Sequence, residues 1–531
     1  MERGPGKEIK ASAILSVARI VVGNNSHLRR ICYSHYHLTM RTVGKAVMPV
    51  IAVDRKAATP LHRQIYDAYR GAIAGRNLGA GQQVPSTRTL ALELGISRIP
   101  VLNAYSQLLA EGYLESRSGA GTFVSNSMPE RLTSVELRKA PAKTRVGPRP
   151  VSQRSTVLPR FKLAPWLTGW GAFSVGQLAL DHFPFQVWSN LVIRHSRHVR
   201  ISSLHFSDPR GSESFRETIA AYLRTARGVS CEAGQIIVVS GSQQAVEITA
   251  RVLFDPENPV WVEEPGYRLA QQVLKMAGCR LIPVPVDGEG LNVAAGIERC
   301  SKARAAYVTP SHQFPLGVTM SASRRIQLLD WAQSSGSWII EDDYDSEFRY
   351  ADMPIASLQG LDRNSRVIYI GTFSKTLFPS LRVGYLVIPP DLVDRFVAVR
   401  HAMDVYPPHL YQAVLTDFIR EGHYSRHIRR TRLVYGERRN VLVGAIGDEF
   451  GSELQVMGAD AGLHVAAVLP RTLQDREIAQ RAARENLWLW PLSPCYLTKN
   501  RRQGFILGFG SVGAREIPNR VRQLGKIIRS K

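Results

Sequence analysis

No stretch of this chain approaches the run of about 18 uncharged apolar residues that a membrane span takes. The nearest, ASAILSVARIVVG at 11–23, is broken by Arg19. It also lacks a clean signal-peptide core and cleavage site, so a cytoplasmic protein with no membrane partner is expected. Cysteine is sparse. Cys32, Cys231, Cys279, Cys300 and Cys495 are scattered, odd in number and free of any CxxC pair. That spacing suggests neither a disulfide framework nor a zinc site, and no metal is expected. Acid is scarce as well: 44 Asp and Glu stand against 68 Lys and Arg, a formal net charge of +24. A generally basic surface would account for the sign, but the size of the excess favours attraction to a polyanion, nucleic acid first.

What is present is ordinary globular material, 44% hydrophobic and 21% charged. A chain of 531 residues is too long for one core, so two or more domains are expected. Residues 1–50, rich in Arg, Lys, His and Ser, show little periodicity and read as a disordered basic extension, with Met40 or Met48 as alternative starts. A compact pattern runs from 54 to 126. Leu61, Ile65, Tyr69 and Ile73 fall at helical spacing. Leu90-Ala-Leu-Glu-Leu marks a second short helix, and after Gly95, Ser97 stands where it would cap a third. Gly112 to Val124 reads as a hairpin with a Gly-rich tip. Residues 127–165, carrying RKAPAKTRVGPRPVSQR, read as a flexible linker. From 166 to 531, helical patterns alternate with short apolar strands such as IIVVS (236–240), WIIEDD (338–343) and VIYIGTF (367–373). Continuous apolar strands between helices indicate a mostly parallel, buried sheet.

Short helix, Gly turn, capped helix and Gly-tipped hairpin is the layout of a winged helix-turn-helix, whose second helix enters the major groove. VPSTRTLALELGISRIPVLNAYSQLLAEGYLESRSGAGTFV (84–124) resembles the DNA-binding domain of GntR-type regulators over its full length. The resemblance implies double-stranded operator DNA as a partner. It places Thr87, Arg88, Ser97 and Arg98 on that DNA, with Gly119, Gly121 and Thr122 in the wing. Arginine forks suit guanine or phosphate, and a hydroxyl beside free amides at a helix start suits phosphate. Ile99-Pro100 stands where such modules usually carry a small polar pair, which bears on the bases read.

The second half turns on TFSKTLFPSLRVGY (372–385), a strand-like apolar run holding Lys375 and Arg382. A lysine among apolar neighbours has a depressed pKa and becomes an amine nucleophile suited to a Schiff base, although a lone lysine can also snorkel to the surface. Its company narrows the choice. Pyridoxal phosphate needs a lysine, a carboxylate at its ring nitrogen, a donor at its phenolic oxygen, a ring partner and a phosphate cradle. Asp342 and Tyr344 in WIIEDDYDSEF supply the second and third, and Tyr267 in EEPGY supplies a flat face. SGSQQAVEI (240–248) opens a helix whose amides can hold phosphate, beside Thr372, Ser374 and Arg382.

These residues resemble the large domain of fold-type I pyridoxal-phosphate enzymes. The two domains in this order look like the MocR subfamily of GntR regulators, from about residue 54 to the end. The resemblance implies an N-terminal winged helix-turn-helix, then an α/β aminotransferase-like domain with a C-terminal small domain. It implies Lys375 as the aldimine lysine, Asp342 at the pyridine nitrogen, Tyr344 at the phenolic oxygen and Tyr267 on the ring. Gly241, Ser242, Gln243, Thr372, Ser374 and Arg382 would surround the phosphate, and His312 and Gln313 would approach the phenolic oxygen. Fold-type I sites lie at dimer interfaces, so a homodimer is implied. There are two departures. Phe206 replaces a tyrosine expected to reach the partner's phosphate, and GFILGFG (504–510) lacks the arginine that clamps a substrate carboxylate, with Arg501 and Arg502 slightly upstream. The expected function is a pyridoxal-phosphate-dependent transcriptional regulator sensing a small amine, an amino acid or the cofactor itself. The alternative is an active aminotransferase carrying a regulatory DNA-binding domain.

Overall fold

Ile65, Tyr69 and Ile73 form the buried stripe of α1 (Leu61–Ala74), the first helix of a small all-in-one core. The computed structural model describes residues 40–43, 46–126, 149–158, 164–199, 205–350, 356–499 and 501–530. It divides into two units, Met1–Arg149 and Pro150–Lys531. In the first, α2 (Thr87–Glu93) is capped by Ser86, whose Oγ accepts from Thr89 N at 3.1 Å. Gly95, at φ +61°, turns the chain into α3 (Arg98–Ala110). The Tyr105 hydroxyl donates to the Pro85 carbonyl at 3.0 Å and meets the Tyr69 hydroxyl at 3.1 Å, tying α3 to α1 and to the entry of α2. Strands β3 (Gln83–Val84), β4 (Leu114–Arg117) and β5 (Gly121–Val124) pair in the order β3-β5-β4. The β4–β5 turn needs Gly119 and Gly121, which hold φ +72° and +112° at its tip.

The expected disorder over residues 1–50 does not extend to its end. β1 (Met40–Val43) pairs antiparallel with β2 (Ala46–Pro49), and Met48, 3% exposed, is part of the α1–α3 core. Two four-residue strands leave too short an alternation to stand out beside so many basic residues. Residues 1–39 lie outside the described residues.

The linker expectation is corrected at its far end. Gln153–Thr156 form one helical turn, and Val157 and Leu158 line a cleft with Arg268 and Tyr496, so this stretch belongs to the second unit. Residues 127–148 and 159–163 lie outside the described residues.

The second unit is built on an eight-stranded sheet. The strands are β6 (Ile236–Val239), β7 (Pro259–Glu264), β8 (Arg280–Asp287), β9 (Gly290–Leu291), β10 (Ala305–Val308), β11 (Trp338–Asp343), β12 (Val367–Thr372) and β13 (Gly384–Val387). Their order is β6-β13-β12-β11-β10-β7-β8-β9. The pairings β12–β11–β10–β7–β8 are parallel, while β13 runs antiparallel to both β12 and β6. Helices cover both faces, which is why central strands such as β10 and β12 are buried from end to end. A four-stranded antiparallel sheet follows, of β14 (Gln455–Met457), β15 (His464–Val468), β16 (Trp490–Pro491) and β17 (Gly504–Gly508), in the order β14-β15-β17-β16. No helix among the described residues is long and apolar enough to cross a membrane.

Candidate cofactor site and nucleic-acid face

Parallel strands deliver their C-terminal ends to one edge, and there a cavity of about 170 Å³ opens. Its walls include Lys375, Asp342, Tyr344, Tyr267, Ser242, Gln243, Thr372, Ser374 and Arg382, so nine residues singled out above from four segments of the chain meet in one place. Lys375 lies just past the end of β12, in the turn before β13, rather than within a strand. Burial pushes its amine below the ordinary lysine range, while the Asp345 and Asp342 carboxylates partly oppose that. Gly176, at φ +79°, makes the room: a Cβ built there would come within 2.5 Å of Lys375 Nζ.

Asp342 sits on the floor. Its Oδ2 accepts from the Tyr307 hydroxyl at 2.6 Å, while its buried Oδ1 has no partner. Burial raises this carboxyl to about 7. The acidic run is no solvated patch, because each of its carboxylates has a separate task. Glu341 accepts from the Leu358 and Gln359 amides. Asp343 pairs with Arg227 at 2.9 Å and accepts from Tyr369, and Asp345 accepts from Leu463 N and faces His312. An unpartnered carboxylate oxygen on a buried floor is an acceptor waiting for a cationic N–H donor.

The other end of the cavity is built for an anion. The helix α4 (Ser242–Leu253) follows β6 through Gly241 at φ +111°, and a Cβ built on that glycine would lie 3.3 Å from the Arg382 guanidinium. The first amides of α4, the Arg382 fork and the hydroxyls of Thr372 and Ser374 therefore share one corner. Ser374 Oγ is buried without a partner, and Gln243 Nε2 makes no hydrogen bond of normal geometry. Free helix N-terminal amides beside a guanidinium suit a dianion. Tyr267 stands in the wall between the two ends, its ring edge-on to Phe314 at 5.4 Å.

The two remaining residues singled out above behave differently. His312 lies behind the wall: its Nδ1 is 3.1 Å from both Tyr344 Oη and Asp345 Oδ2, and the Tyr344 hydroxyl donates to the His312 carbonyl at 2.8 Å. Gln313 is not brought to the cavity. Its Nε2 donates to the carbonyls of Pro265 and Phe314 at 2.8 and 2.7 Å, and its Oε1 accepts from Leu316 N. The amide is consumed in fixing the loop after β10. Sequence reading missed Tyr307, which reads as one more core residue in an apolar strand, and Gly176, Leu463, His464 and Trp490, which complete the walls. Only the stretch AGLH (461–464), which contains Leu463 and His464, carried a signal, as part of the resemblance. Phe206 is 85% exposed, its ring edge-on to Tyr406.

In the first unit, the Arg98 Nε donates to Thr87 Oγ1 at 3.0 Å, so the start of α3 is braced on the start of α2. Ser97 occupies the cap position of α3 as expected, yet its hydroxyl makes no capping bond. It remains free, beside exposed Arg88 and Arg98, for an outside acceptor. Ile99 is 67% exposed at the same helix start. Thr122 and the Gly119–Gly121 tip stand on the wing hairpin.

The fold and site thus define an aminotransferase-type domain joined to a winged helix-turn-helix. The family model for aminotransferases of class I and II matches residues 170–505, and that for bacterial regulatory proteins of the gntR family matches 61–124. The probable rhizopine catabolism regulatory protein MocR of Rhizobium meliloti is 39% identical over 478 residues, 90% of this chain and 95% of its own. The pyridoxine biosynthesis transcriptional regulator PdxR of Corynebacterium glutamicum is 31% identical over 461 residues, 87% of this chain and 94% of its own. Among solved structures, the alpha-aminoadipate aminotransferase LysN of Thermus thermophilus, complexed with N-(5'-phosphopyridoxyl)-L-leucine, superposes with a TM-score of 0.66 at 27% identity. It covers 71% of this chain and 97% of its own. The chain belongs to the MocR-type GntR regulators, in which a DNA-binding winged helix precedes an aminotransferase-like domain.

Proposed function

We propose that this chain is a transcriptional regulator that holds pyridoxal phosphate at Lys375 and reports an amine arriving there to operator DNA. The observation that carries the reading is the convergence on one cavity of a depressed-pKa amine, an unpartnered Asp342 oxygen and an anion corner. These groups fit the cofactor's aldehyde, ring nitrogen and phosphate. Bound there, the cofactor supplies covalent exchange of its aldehyde carbon between lysine and an incoming amine. The chain's own part is positioning. Asp342 Oδ1 would hold a protonated ring nitrogen, Tyr344 would turn its hydroxyl from the His312 carbonyl to the phenolic oxygen, and Tyr267 would face the ring. Arg382, Ser374 and the α4 amides would keep the phosphate fixed while Lys375 is released. DNA reading belongs to α3 and the wing, led by Arg98, Arg88 and Ser97. A homodimer and cytoplasmic location accompany this reading, and an effector shifts operator affinity only by its differential affinity for two states.

Purified protein incubated with pyridoxal phosphate should take on visible absorbance and retain it through gel filtration. Protein that stays colourless would defeat the proposal. The second reading, a working aminotransferase, is supported by the same residues gathered around the cavity. It predicts conversion of the bound cofactor to its amine form by common amino donors, which spectroscopy detects directly.

A further inference from the structure

The walls left over once the cofactor's own contacts are assigned limit what else can enter, an argument that rests on the cofactor reading above. We propose that the ligand of this site is a primary amine carrying no carboxylate beside its amino group, rather than an α-amino acid.

The cavity's cations are already committed. Among the described residues of its wall, Lys375 and Arg382 are the only lysine and arginine, and burial holds the Lys375 amine below its ordinary range. Lys375 serves the aldehyde, and Arg382 stands over Gly241 at the anion corner. A substrate carboxylate in an aminotransferase is held by an arginine just before the last strand of the small domain. Here the strand Gly504–Gly508 holds no arginine, and its two glycine positions have no room for a side chain. A Cβ built on Gly504 would lie 2.5 Å from the Ala467 carbonyl oxygen, and one on Gly508 would lie 2.2 Å from the Ser174 carbonyl oxygen. Arg501 does not reach round: its Nε donates to the Thr498 carbonyl, and it lines the separate cleft with Arg268 and Lys275.

The rest of the wall is hostile to an anion. Val175, Phe314, Leu463 and Trp490 are apolar, and the one indole N–H among them is spent on the Trp166 carbonyl at 3.1 Å. His464 offers no charge. Its Nε2 donates to the Pro315 carbonyl at 3.2 Å, and burial holds the imidazole well below the usual histidine range. Asp345 also stands in the wall, beside Asp342, which the cofactor's ring nitrogen would occupy. A ligand carboxylate placed here would lose its water, find no cation and face like charge, whereas an ammonium group would be drawn in.

The test uses the full-length protein loaded with pyridoxal phosphate. It is titrated with amino acids and their decarboxylated counterparts: L-phenylalanine against 2-phenylethylamine, L-ornithine against putrescine, L-alanine against ethylamine. The readout is the change in visible absorbance, with no turnover needed. In at least one pair the amine should act at a concentration about tenfold or more below the amino acid, as an unpaired buried charge demands. Val175→Arg, or Trp490→Arg should the first fail to fold, should move that ratio toward the amino acid. Amino acids acting as well as or better than their amines would overturn the proposal. So would a loaded protein that responds to neither member of any pair, or arginine variants that load normally and leave the ratio unchanged. Protein that never acquires the absorbance points instead to failure of the cofactor reading.

Discussion

Lys375 is buried, and burial holds its amine below the ordinary lysine range although the Asp345 and Asp342 carboxylates oppose the shift. Lys375→Ala should abolish visible absorbance after pyridoxal phosphate treatment while far-ultraviolet dichroism stays unchanged. Retained absorbance would relocate the attachment point. Asp342 makes a separate prediction about pH. Burial raises its carboxyl to about 7, as it does those of Glu263, Glu341 and Glu347. A carboxyl raised in the folded state is protonated there while still ionised in the unfolded chain. Its contribution is therefore complete below the ordinary carboxylate range and is lost as pH rises toward about 7. Cofactor-free protein should accordingly melt at lower temperature at pH 8 than at pH 6. Pyridoxal phosphate should narrow the gap, because a ring N–H⁺ gives the ionised Asp342 its partner. Thermal scans at both values, with and without cofactor, check this.

At the level of helices and strands, the pairing of α2 with α3 braces the Arg98 side chain on Thr87. Arg98→Ala should weaken operator binding by about 1–3 kcal/mol and leave cofactor uptake untouched. Gel-shift titration alongside absorbance measures both. Gly176 belongs to the segment facing the lysine. Gly176→Ala would set a methyl 2.5 Å from Lys375 Nζ at a positive φ, so it should slow or weaken cofactor uptake by tenfold or more while sparing DNA binding. How far such elements were legible follows from their chemistry. The apolar strands and the Gly-punctuated winged helix announce themselves, because period and turn residues are local properties. Asp342, Tyr344 and Arg382 were legible because polar groups at strand ends stand out against an apolar background. Tyr307 was not, since only the fold turns its hydroxyl toward Asp342. Gln313 misled for the opposite reason: it stands near the expected place, but three local contacts claim its amide. The β1–β2 ribbon was hidden by its brevity.

Across the whole molecule, the two units carry separate cores, one around Tyr69 and Tyr105, the other around the eight-stranded sheet. A ligand bound by one folded unit stabilises that unit by mass action. Calorimetry of the full chain should therefore resolve a transition that pyridoxal phosphate shifts upward and one that it leaves in place. A single transition moving as a whole would mean that the units unfold together. The charge of +24 acts at this scale too: operator affinity should fall steeply with added salt, and only part of that slope should disappear with Arg98. Trp490, on the cavity wall, has an optical corollary. Its indole lies where an absorbing ring would drain its excited state, while the stacked Trp261 and Trp331 belong to a different part of the core. Cofactor uptake should therefore be readable as quenched tryptophan emission, and a Trp490→Phe change should reduce that quenching.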